Sequence, residues 1–236
     1  MRVALTVSYN GASFEGFQIQ KHTKNTIAGA LEHVLGILGI ESKIVASGRT
    51  DAGVHATGQV CHIDLPPFWS DLTKLQRVMN EMLPKSIHVK RIREESSDFH
   101  ARYSAKKRLY RYIIKVGEPN PFEDAFVTFV ESLDFDALQE KIALFVGEHD
   151  FAYFMKSGSD IGSTVRTVYN AYAYRHRGYI VLHFEANGFL RTQIRLMVGA
   201  LLKFTCQEIT EQLTCQKKHR LKPAPGNGLY LAKIKY

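Results

Sequence analysis

The feature that most constrains the fold of this chain is an order of strands and helices that occurs twice. In the first half, hydrophobic periodicity predicts strands at residues 2–9, 43–46, 59–65 and 87–93. Helices are predicted at residues 26–38 and from Ser70 to just before Pro84. The resulting order is β-α-β-β-α-β, which is the order of a ferredoxin-like unit.

The second half repeats this order without repeating the sequence. Alternation predicts strands at residues 109–116, 165–174, 179–186 and 229–234, with a short extra strand at 126–130. Helices are predicted at 136–145, 189–204 and 208–215, a hairpin turn at Arg177-Gly178, and a flexible polar loop at 156–163. We therefore expect an α+β protein of two ferredoxin-like halves, residues 1–103 and 104–236, packed around a central cleft.

The charge balance points to a polyanionic partner. The chain has 31 Lys and Arg against 23 Asp and Glu, a formal net charge of +8, and each phosphate that such a protein neutralises releases counterions. Its three cysteines show neither zinc nor redox spacing, so we interpret them as reduced thiols in a cytoplasmic protein. No apolar run approaches about 18 residues, so no membrane segment is expected.

The polar stretch Ser-Gly-Arg-Thr-Asp-Ala-Gly-Val-His-Ala at residues 47–56 lies between two β-prone runs. A carboxylate in a loop on a rigid scaffold, here Asp51, occupies a common position for a catalytic group. The alternative is an ordinary β-turn in which Thr50 or Asp51 binds local amides. A metal site of His55, His62 and Asp64 is a third option, but the usual ligand spacing is missing and no metal is predicted.

Two further segments combine cations with aromatic or apolar residues. Strand alternation places Tyr110 and Tyr112 on one face and Arg111 on the other; the alternative is that both tyrosines only pack in the core. In the predicted helix at 189–204, Arg191 and Arg195 are one turn apart and would share a face, which could also be a solvated basic stripe. Candidate phosphate contacts are the basic residues Lys106, Lys107, Arg108, Lys217, Lys218 and Arg220.

These motifs together resemble the tRNA pseudouridine synthase A family, which acts on the anticodon arm. The stretch at 47–56 resembles its active-site signature, residues 99–105 the segment between its halves, 188–202 its arginine-bearing helix and 222–231 its closing motif. The residues Thr192-Gln193-Ile194 depart from the family pattern, and the chain ends at Tyr236 without the tail of longer members.

The resemblance implies an isomerase that converts uridine to pseudouridine at positions 38, 39 and 40 of tRNA. It implies that Asp51 is the nucleophile, that Arg195 pairs with Asp51, and that Tyr110 lies against the target base. Arg49 would fill the space of the flipped uridine, and Leu229 would lie beside the substrate. A homodimer is also implied.

The reaction includes no redox or phosphate step, so no cofactor is predicted, and the chain has no dinucleotide-binding or Walker glycine loop. The alternative functions are a non-catalytic RNA-binding protein on a tandem ferredoxin-like scaffold and, more remotely, a metal-dependent nuclease. The sequence leaves open which of the three positions is modified and whether Asp51 attacks the sugar or the base.

Overall fold

The chain forms two compact units in a computed structural model that describes residues 1–156, 158 and 162–236. The first unit comprises Met1–Lys106 and Tyr230–Tyr236, and the second comprises Lys107–Leu229. Four residues of the loop at 156–163, for which the sequence predicts flexibility, lie outside the described residues. Within the described part of the chain, no helix has the length and hydropathy to cross a membrane.

The first unit has the predicted β-α-β-β-α-β order. Its elements are β1 (Arg2–Tyr9), α1 (Ile27–Ile37), β2 (Val45–Ala46), β3 (His55–Asp64), α2 (Leu72–Met82) and β4 (Ile87–Glu94). Strand β1 pairs antiparallel with both β3 and β4, and β2 pairs antiparallel with the end of β3. This is the arrangement β4-β1-β3-β2 that a ferredoxin-like unit requires.

Both helices of the first unit begin directly after a capping residue. The Thr26 side chain accepts a hydrogen bond from Gly29 N, and the Asp71 side chain accepts one from Lys74 N. These bonds satisfy amide groups that have no partner within the helix. The apolar stripe of α1 is buried along Ile27, Leu31, Val34 and Leu35, as the helical spacing predicts.

The second unit carries the larger number of elements. They are β5 (Lys107–Val116), β6 (Thr128–Val130), α3 (Phe135–Ala143), β7 (Gly147–Asp150), β8 (Val165–His176), β9 (Tyr179–Ala186), α4 (Gln193–Lys203) and α5 (Cys206–Leu213). Strand β9 pairs antiparallel with β5 on one side and β8 on the other, and β8 pairs with β7. A short 3₁₀ helix, Ala152–Phe154, follows β7.

The predicted hairpin between β8 and β9 is confirmed. His176 pairs with Tyr179, and the two residues between them have left-handed backbone angles, with φ of 47° at Arg177 and 83° at Gly178. Positive φ at both central residues is the geometry of a two-residue type I′ turn.

Two predicted element starts differ from the structure by four residues, and one strand was not predicted. Strand β3 begins at His55, four residues before the predicted start, and β7 was not predicted at all. Helix α4 begins at Gln193 because Thr192 has a left-handed φ of 64°, so Arg191 precedes the helix. Arg191 and Arg195 therefore do not share a helical face, and that prediction was wrong.

The last strand, β10 (Leu229–Lys235), lies mostly in the first unit. Tyr230 and Leu231 pair in parallel with His55 and Ala56 at the beginning of β3. The Cβ that a side chain would add at Gly58 would lie 2.4 Å from the Ala232 carbonyl oxygen, so β3 and β10 approach closely. The end of the chain thus lies next to the strand that follows the Asp51 loop.

Candidate active site

The loop that carries Asp51 connects β2 to β3 in the first unit, and hydrogen bonds fix its beginning. Ser47 N donates to the Val60 carbonyl oxygen at 2.8 Å, and the Ser47 hydroxyl donates to Gln59 Oε1 at 2.7 Å. The Gln59 amide in turn donates to the Gly48 carbonyl oxygen at 2.8 Å. Because Ser47 and Gln59 are both buried, these bonds are shielded from competition with water and define the path of the loop.

The middle of the loop is held by the segment that follows β1. Tyr9 and Thr50 share a buried hydrogen bond between their hydroxyl groups at 2.9 Å, and Phe17 N donates to the Thr50 carbonyl oxygen at 3.1 Å. Gly16 has φ of 98°, and a Cβ there would lie 2.9 Å from the Thr50 carbonyl oxygen. Only glycine fits this conformation and this spacing without displacement. Thr50 is therefore bound to a distant segment instead of a local amide.

Thr50 is buried between two more accessible residues. Arg49, which precedes it, is exposed, and Asp51, which follows it, is half-buried. A carboxylate whose backbone neighbours are fixed in this way keeps its position without losing access to a ligand, which is what a catalytic group needs. Tyr9, Gly16, Phe17 and Gln59 support the loop but were not singled out from the sequence. The sequence feature that could have indicated this support is the pair of glycines at residues 11 and 16, which follow the first strand.

The two tyrosines of β5 lie on one buried face in the second unit, as predicted, and Arg111 is exposed. The Tyr112 hydroxyl bonds to Thr128 Oγ1 at 2.6 Å and donates to the Pro225 carbonyl oxygen at 2.9 Å. Burial raises the pKa of Tyr112 to about 12, so it stays protonated and structural. Tyr110 packs edge-on against the Phe189 ring, with 5.3 Å between ring centroids.

Arg195 is held on α4 by the segment that precedes the last strand. Its Nε donates to the Ala224 carbonyl oxygen at 2.7 Å, and Ala224 N donates to the Arg195 carbonyl oxygen at 2.8 Å. This pair of bonds fixes the half-buried guanidinium relative to the segment at 224–229. Leu229 is buried at the start of β10. Arg49 and Asp51 thus lie in the first unit, whereas Tyr110, Arg195 and Leu229 lie in the second.

Comparison with known proteins identifies the family of the chain. A family model described as tRNA pseudouridine synthase matches residues 5–104 and 142–236. The chain is 37% identical over 244 residues to the tRNA pseudouridine synthase A of Campylobacter jejuni strain RM1221, and the match covers 100% of both chains. The chain belongs to the tRNA pseudouridine synthase family.

Further relatives in this synthase family cover nearly the whole chain. The tRNA pseudouridine synthase A of Wolinella succinogenes is 41% identical over 235 residues, covering 98% of this chain and 92% of that protein. A solved structure described as a "Crystal Structure of a Cbf5-Nop10-Gar1 Complex" has one chain with a TM-score of 0.35 and 14% identity, covering 83% of this chain and 44% of that one. A likeness that distant carries no functional conclusion.

The histidines near the synthase motif have structural partners. Gly11 N donates to His55 Nδ1 at 3.0 Å, and the His55 ring stacks on Tyr230 at 4.7 Å. Ala101 N donates to His62 Nδ1 at 3.1 Å, and Asp64 forms a two-point ion pair with Arg2 that lowers the pKa of Asp64. The described residues contain no group of three His, Cys, Asp or Glu side chains that could hold a metal ion.

The candidate phosphate contacts differ in how far they are engaged within the protein. Lys107 pairs with Glu185 at 3.4 Å and lies over the Tyr169 ring at 4.3 Å, and Arg108 donates to the Asn187 carbonyl oxygen at 2.8 Å. Lys106 is exposed, as are Lys217, Lys218 and Arg220. Lys107 and Arg108 therefore contribute to the fold as well as to the surface charge.

Proposed function

We propose that this protein isomerises uridine to pseudouridine at positions 38, 39 and 40 in the anticodon stem-loop of tRNA. The observation that carries the proposal is the half-exposed carboxylate of Asp51 on a loop fixed by buried hydrogen bonds, in a chain of this synthase family. The proposal includes a cytoplasmic homodimer, as the family resemblance implies.

The reaction breaks the bond between N1 of uracil and C1′ of the ribose and forms one between C5 and C1′. The proton on C5 is lost and N1 gains one, so the atoms balance without a redox partner or a cofactor. The protein must supply a nucleophile for the sugar or the base, a cation to keep that nucleophile ionised, and a surface that retains the detached base.

We assign these tasks to Asp51, Arg195 and Tyr110. Asp51 acts as the nucleophile, and the guanidinium of Arg195, held by its bond to Ala224, is assigned as its ion-pair partner. Tyr110 supports the base with a ring that Phe189 holds in place. Leu229 provides an apolar contact beside the base.

Arg49 is assigned to the extrusion of the target uridine. A uridine stacked in a stem is out of reach, and its removal costs a few kcal/mol. Arg49 is exposed two residues before Asp51, so its guanidinium can occupy the vacated space. The phosphate backbone is bound by a set of basic residues, in keeping with the formal excess of +8 over the chain: Lys106, Lys107, Arg108, Lys217, Lys218 and Arg220.

Asp51→Asn tests the proposal, because the amide keeps the shape of the side chain and removes the nucleophile. We expect pseudouridine formation on unmodified tRNA, mapped by mass spectrometry, to fall below about 1% of wild type, the scale of losing a covalent catalyst. Binding of tRNA should stay within a few-fold.

The matched control is Asp71→Asn, which changes a helix cap far from the loop along the chain. It should leave the product yield unchanged. A wild-type protein that binds tRNA without forming pseudouridine would support the non-catalytic alternative instead, and activity that chelators abolish would point to a metal-dependent enzyme.

A further inference from the structure

We propose that the loop at residues 216–222 is a preformed binding site for an RNA phosphate backbone, and that His219 is the positioning residue that holds its shape. The inference rests on the proposed function, which supplies the RNA. The loop reads Gln-Lys-Lys-His-Arg-Leu-Lys and connects α5 to the segment that holds Arg195.

The loop separates its residues into an outward and an inward set. Only His219 and Leu221 are half-buried. The outward set, all exposed, consists of four cations within six residues: Lys217, Lys218, Arg220 and Lys222. Lysine and arginine side chains that share one short, ordered segment form a row of positive charge, and the phosphates of a nucleic acid strand form the matching row of negative charge.

The beginning of the loop is wound back onto the end of α5. Gln216 N donates to the Glu211 carbonyl oxygen at 2.9 Å, and Cys215 N donates to that of Gln212 at 3.4 Å. Cys215 has a left-handed φ of 56°. Together these features form a Schellman motif, which fixes the direction in which the chain leaves the helix.

His219 then attaches the middle of the loop to the same helix. Its Nε2 lies 2.7 Å from Glu211 Oε2, and its backbone N donates to Gln212 Oε1 at 3.0 Å. Gln212 is buried and donates in turn to the Tyr153 carbonyl oxygen at 3.1 Å. The bonds of His219 therefore connect the loop to the interior of the unit. Its neighbours Lys218 and Arg220 are exposed, and the Lys218 Nζ also lies 5.7 Å from the centre of the Tyr153 ring.

The two acidic residues near His219, Glu208 and Glu211, accept hydrogen bonds from neighbouring residues of α5 and its cap. Glu208 accepts hydrogen bonds from the backbone and side chain of Thr205, and Glu211 also accepts one from Gln207 at 2.9 Å. Hydrogen bonds from His219 and Gln207 lower the pKa of Glu211, and the charge of Lys217 adds a smaller effect. These carboxylates hold the loop on α5, and of the four outward cations only Lys217 adds to the shift of the Glu211 pKa.

The far end of the loop is anchored to α4. A Cβ at Gly199 would lie 2.4 Å from the Lys222 carbonyl oxygen, so the loop passes directly over the helix backbone. Two residues later Ala224 exchanges hydrogen bonds with Arg195. A loop fixed at both ends and in its middle loses little conformational entropy when a ligand binds, which favours affinity.

The test is the salt dependence of tRNA binding at pH 8. Each phosphate contact contributes roughly 0.7–0.9 to the slope of log affinity against log salt. The variant Lys217→Gln, Lys218→Gln and Arg220→Gln should therefore lower the slope by about two. His219→Ala should lower it by at least about one, because several cations lose their common position.

His219→Gln should restore most of the slope, since its amide can donate to Glu211 as Nε2 does. The matched control is Lys85→Gln, an exposed lysine in the first unit, which should leave the slope unchanged. In turnover on tRNA, the triple variant should raise KM about tenfold and keep kcat within about twofold, as loss of uniform binding requires.

Two results would overturn the inference: a wild-type slope in the triple variant, or a wild-type slope in His219→Ala. The triple variant changes only exposed side chains, so the test holds even if His219→Ala fails to fold. A wild-type protein that shows the loop-dependent slope but forms no pseudouridine would refute the proposed function and leave the loop as an RNA-binding site.

Discussion

Tyr110 and Tyr112 are two residues apart on the same strand face, and their surroundings assign them different tasks. Both hydrogen bonds of the Tyr112 hydroxyl go to groups of its own unit, and its raised pKa removes it from proton transfer near neutral pH. The Tyr110 ring packs edge-on against Phe189. Strand alternation predicted that they share a face but does not distinguish the two tyrosines, and only the family resemblance singled out Tyr110.

Tyr110→Phe separates stacking from proton transfer. We expect the single-turnover rate on tRNA to fall on the order of a hundredfold or more, the usual scale of general acid–base catalysis, because the hydroxyl is proposed to move the proton from C5. RNA binding should change little, because the ring contact is kept. A variant with a near wild-type rate would leave Tyr110 as a stacking surface only.

Arg49→Ala tests the role in base flipping. Because unstacking is costly only for a paired uridine, the variant should lose more activity on a tRNA with a paired stem uridine than on a matched tRNA with a mismatch at that position. Rates on the two substrates provide the comparison. Equal losses would mean that Arg49 orients Asp51 and does not assist flipping.

At the scale of elements, strands β3 and β10 pack closely, and β3 begins directly after the Asp51 loop. Gly58→Ala would place a methyl group 2.4 Å from the Ala232 carbonyl oxygen, and backbone atoms cannot move aside cheaply. We expect a loss of about 1–3 kcal/mol in the free energy of unfolding, measured by urea denaturation.

Gly36→Ala is the matched control for Gly58→Ala. Gly36 lies exposed in α1, and its added Cβ would meet no atom within 4 Å. Alanine is the better helix former, so this variant should gain about 0.5–1 kcal/mol. A Gly58→Ala variant that is as stable as the Gly36→Ala variant would show that β3 and β10 have room for a methyl group between them.

The sequence predicted elements well where apolar spacing is regular and poorly where backbone geometry decides. The helices α1 and α2 coincide with regularly spaced apolar residues and begin at capping residues. Strand β7, Gly147–Asp150, has the sequence Gly-Glu-His-Asp and so lacks the apolar alternation that would predict a strand. The left-handed angle at Thr192 delays α4, and threonine rarely adopts it. The support of the Asp51 loop by Gly16 and Tyr9 depends on contacts over about 40 residues of chain, which local patterns do not contain.

For the whole molecule, the buried His62 makes stability depend on pH. Its pKa is lowered by burial and by the charges of Arg2 and His100, while the charge of Asp64 opposes the shift. The native protein therefore favours neutral His62, so its full contribution to stability is present above the ordinary value of 6.5 and is lost as pH falls below it.

His62→Asn should reduce this dependence, because the amide oxygen can still accept the hydrogen bond from Ala101 N and does not titrate. We expect the free energy of unfolding of the wild type to fall from pH 7.5 to pH 5, and that of the variant to fall less. Denaturant titrations at both values measure the difference. Parallel pH profiles would assign the dependence to other groups.

The path of the chain also sets an order of events during synthesis. The strand that lines up with His55 and Ala56 comes from residues 229–235, after the whole second unit has been made. The first unit therefore stays incomplete on the ribosome while more than a hundred further residues emerge, and pairing over such sequence distances is intrinsically slow. An unfinished chain therefore lacks the stacking of Tyr230 on His55, the residue at which the strand after the Asp51 loop begins.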